Sequence, residues 1–291
     1  MERADLTLSA GPNDVSPRVR AALGAPIEYH YDPVFKARFR ETERLVGEIY
    51  GSASHEIILM QGEAVLGLEA AARSLVRRGT ACLNLVSGVF GKGFGYWLAA
   101  IGADLHEIEV PYDEAVTAAA VEAYLTGHPE ISVVSVVHSE TPSGTLNPVW
   151  DIGPIARAHG ALTIVDVVSS WGGIRLEPEA WQLDLLVAGP QKCLGGPPGM
   201  SLLAVSDQAW RAIEANPEAP RGSFLSLLDW REQWHGQGKF PYTPSVSDLN
   251  GVHAACEELL EEGLAASMAR HQRVFDACWA GAEAMRLRPW P

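Results

Sequence analysis

The sequence is short of positive charge. Lysine and arginine number 22 against 36 aspartates and glutamates, a net charge of −14. A chain this acidic has no electrostatic footprint for nucleic acid or an anionic membrane surface, so neither is expected as a partner. An anionic small molecule stays open, because local charge at a site can oppose the global sign. No apolar run approaches the ~20 residues that span a bilayer. The N-terminal stretch MERADLTLSAG carries charges and no long apolar core, so no signal peptide is read there. Cysteine is scarce: Cys82, Cys193, Cys256 and Cys278 lie far apart, and no C-x-x-C occurs. Buried or incidental thiols in a reduced, cytoplasmic protein are expected. Apolar residues, by contrast, make up 47% of the chain and charged ones 20%, which allows a sizeable core and excludes disorder. A length of 291 residues fits one large domain, or one with part of another.

Short β-branched apolar runs alternate with helical stretches. Strands are expected over 57–60, 81–86, 105–110, 131–137, 162–168, 183–188 and 201–205. Most are continuous rather than alternating, as strands buried on both faces are. Helices are expected over 65–77, 93–101, 114–126, 152–159 and 208–215. This alternation predicts an α/β fold, a three-layer α/β/α sandwich around a mostly parallel sheet, with the site at the carboxyl ends of the strands. Residues 216–244 hold four prolines, two tryptophans and three glycines with little periodicity, and read as a long ordered loop. From Ser247 the chain turns helical and acidic at Glu257, Glu258, Glu261 and Glu262, with Ser247 or Asp248 as the cap. The domain boundary is accordingly drawn between 1–246 and 247–291.

Three strand-end segments carry chemistry. Asp166 closes an apolar strand in Val165-Asp166-Val167-Val168, where a carboxylate is costly to bury without a partner; it reads as functional, or as a turn or capping residue. Lys192 sits in Gly189-Pro190-Gln191-Lys192-Cys193-Leu194-Gly195-Gly196-Pro197-Pro198-Gly199 among small and apolar residues. A lysine in an apolar setting has a lowered pKa and becomes a nucleophilic amine. Gln61-Gly62-Glu63-Ala64-Val65 turns from a strand into a helix whose first N–H groups favour an anion or an oriented hydroxyl. Glu63 is then a ligand contact, or only a favourable partner of the helix dipole.

A strand-end Asp166 followed 26 positions later by Lys192 in a Gly/Pro-rich loop resembles the class V aminotransferases of fold type I, and His138-Ser139-Glu140-Thr141-Pro142-Ser143-Gly144 fits that family's H-x-E-T-x-x-G region. The match runs in order over nearly the whole chain. Within the family, Val65-Leu66-Gly67-Leu68-Glu69-Ala70-Ala71, the segment 87–97 and Pro241-Tyr242-Thr243-Pro244 resemble a branch that moves the amino group of free pyridoxamine to pyruvate, giving pyridoxal and L-alanine in vitamin B6 breakdown. The resemblance implies pyridoxal, or pyridoxal phosphate, bound as a Schiff base on Lys192, with Lys192 and Asp166 catalytic and Asp166 paired to the ring nitrogen. It also implies contacts from Glu63, Ala64, Val65 and Gln191, Val168 under the ring, Phe90 over it, Thr141 near the ring hydroxyl, and Thr243 reaching a neighbouring subunit of a homodimer or homotetramer. Phe90 stands where this branch has tyrosine. The resemblance further implies a small C-terminal domain whose arginines clamp the substrate carboxylate. The chain ends before them, so weak turnover of pyruvate is expected, and no motif gives that role to Arg286 or Arg288.

Other signals are weaker. Gly88-x-x-Gly91-x-Gly93-x-Gly95 fails the dinucleotide spacing at Leu98. His138-x-Glu140 is not followed by P-C-x-x-C, so no metal is expected. The rival functions are an alanine/serine–glyoxylate-type transaminase using pyridoxal phosphate, and a truncated non-catalytic remnant.

Overall fold

The computed structural model describes residues 9–288 and Trp290. Two helices precede the sheet, α1 (Pro17–Leu23) and α2 (Pro33–Tyr50). Each starts on a cap followed by proline at the first helical position: Ser16 accepts from Val19 N at 3.1 Å and Asp32 from Val34 N at 2.8 Å. There follow β1 (Glu56–Gln61), α3 (Ala64–Leu75), β2 (Ala81–Val86), α4 (Val89–Ile101), β3 (Asp104–Glu109), α5 (Ala118–Gly127), β4 (Val133–Val137), α6 (Val149–Ala158), β5 (Leu162–Asp166), β6 (Leu185–Ala188), β7 (Met200–Val205) and α7 (Asp207–Ala215). The chain continues through α8 (Leu227–Asp229), a π-helical turn (Trp230–His235), α9 (Val246–Glu262) and α10 (Leu264–Ala284).

The sheet has seven strands in the order β1-β7-β6-β5-β4-β2-β3. All neighbours are parallel except β7, which is antiparallel to both β1 and β6. Running against β7 on both sides makes β1 point the same way as β6, so the carboxyl ends of β1, β2, β4, β5 and β6 share one edge. Every residue of β2, β4, β5, β6 and β7 is buried, which is why they read as continuous apolar runs. The edge strand β3 is half-exposed and carries Asp104, Glu107 and Glu109, charges that discourage pairing with another chain.

The structure departs from the sequence expectations in several places: α1 and α2 were not expected, α4 begins at Val89 rather than 93, β4 at Val133 rather than 131 and β6 at Leu185 rather than 183, and β5 ends at Asp166 rather than 168. The stretch 216–244 is not all loop: α8 and the π-helical turn bury Trp230 and Trp234 against Phe39 and Phe240, with Trp230 stacked on Phe39 at 5.8 Å and Trp234 on Phe240 at 4.2 Å. Helix α5 begins at Ala118 rather than 114, because Thr117 caps it. Helix α9 is capped by Ser245, not Ser247 or Asp248: its hydroxyl accepts from Asp248 N at 3.4 Å and donates to Asp248 Oδ2 at 2.6 Å. The acidic run on α9 finds partners locally. Arg18 holds Glu257 at 2.6 Å and Glu261 at 2.8 Å, Ser16 donates to Glu258 at 2.7 Å, and Arg270 pairs with Glu262 at 2.6 Å.

Candidate active site

Five strand exits on the shared edge deliver the side chains. After β1 come Glu63, Ala64 and Val65 in the first turn of α3; after β2, Phe90 in the first turn of α4; after β4, Thr141. Asp166 ends β5, with Val168 two residues on, and after β6 come Gln191 and Lys192. These nine residues line one cavity of about 270 Å³, together with Gly11, Pro12, Leu68 and Pro198. That volume lies below the ~300–1,000 Å³ of drug-sized sites and suits a single-ring ligand. Thr243 is exposed and does not line it, and Arg286 and Arg288 are exposed as well. Sequence reasoning missed the Gly11-Pro12 wall; its one signal was a Gly-Pro turn dipeptide.

Asp166 is buried and accepts from Val168 N at 2.8 Å. Burial pushes its carboxyl up to about 7, the Val168 N–H opposes this, the nearby Glu140 and Glu63 raise it further, and Lys192 lowers it. Lys192 is half-buried, and desolvation lowers its pKa against the pull of Glu63 and Asp166. Its Nζ donates to the carbonyl of Ala10 at 2.9 Å, and its own carbonyl accepts from Asn13 Nδ2 at 2.7 Å. The segment before α1 thus folds over the lysine. Thr141 Oγ1 and Ser169 Oγ share a hydrogen bond at 2.5 Å.

Glu63 serves two purposes. Its Oε2 accepts from Val65 N at 2.9 Å, capping α3, while Oε1 accepts from Gln191 Nε2 at 2.6 Å at the cavity wall. The dipole-partner role and the cavity role therefore coexist in one side chain.

The structure adds Glu140. It is fully buried and its oxygens accept from Gly91 N at 2.7 Å and Phe90 N at 3.2 Å, so it caps α4 and fixes the backbone that carries Phe90. Burial raises its pKa, and the two N–H donors oppose that. His138, two residues earlier, is buried with Nδ1 on Ser170 Oγ at 2.8 Å, and burial lowers its pKa to about 4, so it stays neutral. No group of histidine, cysteine, aspartate and glutamate suited to a metal ion occurs among the described residues.

A half-desolvated amine beside a buried carboxylate, at the carboxyl edge of a parallel sheet, suits a pyridoxal-type group. A cationic ring nitrogen near Asp166 would stabilise the charge that burial disfavours. The sequence profile of the class V aminotransferases matches residues 24–285, and the chain belongs to that family, on the fold type I architecture. Among its relatives, it is 48% identical to the pyridoxamine–pyruvate transaminase of Mesorhizobium japonicum, over 99% of this chain and 74% of that one. The crystal structure of pyridoxamine–pyruvate aminotransferase from Mesorhizobium loti superposes with a TM-score of 0.95 at 46% identity, covering 100% of this chain and 75% of that one. An alanine–glyoxylate aminotransferase from Nostoc matches with a TM-score of 0.91 at 26% identity, covering 98% and 77%.

Proposed function

We propose that this chain transfers the amino group of pyridoxamine to pyruvate, giving pyridoxal and L-alanine. The observation that carries this choice of vitamer is the Glu63 carboxylate at the start of α3. A helix N-terminus is a natural phosphate site because its first N–H groups are free. Here one of them, Val65 N, is already held by Glu63 Oε2. A phosphate at that spot meets a carboxylate; at ~4 Å and an effective dielectric near 20, each unit charge pair costs about 4 kcal/mol as a ceiling. Even a third of that is roughly tenfold in affinity. A carboxylate has about four lone-pair positions, so Glu63 retains the capacity to accept from a vitamer hydroxymethyl group.

When bound, the vitamer supplies a ring that takes up electrons from the carbon being deprotonated. Lys192 would supply the amine that moves the proton and that links covalently to the vitamer, and desolvation lowers its pKa. Asp166 would hold the ring-nitrogen end. Phe90 and Val168 would give the ring apolar surface, and Ala64, Val65 and Gln191 close the wall beside Glu63. Thr141, tied to Ser169, would present a hydroxyl to the ring substituent.

We assign Thr243 to a neighbouring subunit's site, supported by its exposure and by Phe224, exposed beside it and packed on Tyr242 at 4.4 Å. We assign residues 247–291 to a second domain, and free cysteines support a reducing cytoplasm. The test of the vitamer assignment is binding: pyridoxal and pyridoxamine should bind more tightly than their phosphates, and Glu63→Ala should narrow or reverse the gap. Tighter phosphate binding by the unmodified chain would favour a glyoxylate-type transaminase instead.

A further inference from the structure

We propose that Gln191 is a positioning residue that aims the Glu63 carboxylate into the cavity and so sets the discrimination against a phosphate; this rests on the pyridoxamine reading above. Glu63 is the N-cap of α3, and Gln191 lies in the loop after β6, 128 residues away. Their contact at 2.6 Å fixes one carboxylate oxygen, while Val65 N fixes the other at 2.9 Å. With both oxygens held by donors from separate elements, the carboxylate cannot swing out to solvent when an anion approaches. Gln191 is itself pinned: its carbonyl accepts from Asn13 N at 3.0 Å, and it precedes Lys192 directly. The residue that recognises the vitamer tail and the amine that reacts with the vitamer are thereby referenced to one loop.

The amide has one workable orientation. A carboxylate only accepts, so Nε2 must face Glu63, and that leaves Oε1 buried with no hydrogen-bond partner. The oxygen rests where a Cβ on Gly189 would come within 2.5 Å of it, a slot that exists only because residue 189 has no side chain. A buried carbonyl without a partner is destabilising. A residue placed there for packing alone would be apolar. The glutamine makes sense as a donor to Glu63, held at the cost of an orphaned acceptor.

The consequence is a separation of stability from specificity. Gln191→Met keeps the side-chain length and removes both the donor and the orphaned oxygen. Its melting temperature should equal or exceed that of the parent. The ratio of dissociation constants for pyridoxal phosphate and pyridoxal, measured from the absorbance of the Lys192 adduct, should fall about tenfold. Gln191→Asn, which keeps an amide but is too short to reach Glu63, should narrow the ratio likewise, and is the second variant if the methionine form does not fold. In a Glu63→Ala background neither change should move the ratio further, because Gln191 acts through Glu63. A parental ratio in both Gln191 variants, with Glu63→Ala collapsing it, would overturn the role of Gln191 and leave the vitamer assignment standing. An equal shift in the Glu63→Ala background would also overturn it, because Gln191 would then act by its own contact. A parental ratio in Glu63→Ala alone would overturn the vitamer assignment, and this proposal with it.

Discussion

Lys192 lies in a glycine-rich loop and Lys92 in the first turn of helix α4, where a glycine-rich turn was expected, and their surroundings push them in opposite directions. Lys92 Nζ is shared between Glu107 at 2.8 Å and Glu109 at 2.9 Å, contacts that raise its pKa and keep it charged. Lys192 has a carbonyl partner and a lowered pKa. Borohydride treatment with pyridoxal should therefore label Lys192 and spare Lys92, and Lys192→Ala should abolish transamination; peptide mapping of the label decides. Asp166→Asn should lower turnover by several orders of magnitude while the adduct with Lys192 still forms, since an amide cannot hold a protonated ring nitrogen. Asp166 also has a signature in stability. Its carboxyl sits near 7 when folded against 3.8 as the ordinary value, so the folded chain binds the extra proton between those limits. Stability from this group is fully present below about pH 4 and is lost as pH rises to about 7, on the order of 4 kcal/mol at most. Denaturation of the vitamer-free chain at pH 4 to 8 should show that loss, and Asp166→Asn should flatten it.

The central strands were legible from the sequence because continuous burial leaves a continuous apolar run, as in Val133–Val137 and Leu162–Asp166, whereas the edge strand β3 is not continuously buried. Helices α1 and α2 went unread although Ser16-Pro17 and Asp32-Pro33 are start signals; α1 is too short to show an apolar period, whereas α2 buries Phe35, Phe39, Leu45, Val46 and Ile49 at helical spacing, a signal that was present and passed over. In 216–244, proline and tryptophan density hid the helical turns that Trp230 and Trp234 build. At the site, residues adjacent in sequence to a strand end were readable. Glu140 as the cap of α4 was not, because its partners Phe90 and Gly91 lie about 50 residues earlier. That cap explains why residue 88 is glycine: an added Cβ would lie 2.3 Å from the Glu140 Cδ, whose carboxylate is already held and cannot retreat. Gly88→Ala should cost ~2 kcal/mol or more through loss of the cap and local overpacking. It should also weaken vitamer binding through Phe90, and thermal melts with a pyridoxal titration measure both effects.

For the molecule as a whole, the net charge of −14 coexists with apolar residues left at the surface, among them Ile27, Tyr29, Val34, Tyr96 and Phe224. Singly exposed apolar residues are ordinary, and only a contiguous patch of them marks an interaction site. Light scattering of the chain should give a multiple of 31.4 kDa; a monomer would remove the assignment of Thr243 to a neighbouring subunit. The most direct test of the proposed reaction is a product assay with pyridoxamine and pyruvate and no phosphorylated vitamer. Pyridoxal, followed by its absorbance, and L-alanine, quantified in parallel, should appear in equal amounts, with pyridoxamine phosphate a poor substitute. Amino transfer seen only when pyridoxal phosphate is supplied, with glyoxylate as the acceptor, would contradict it.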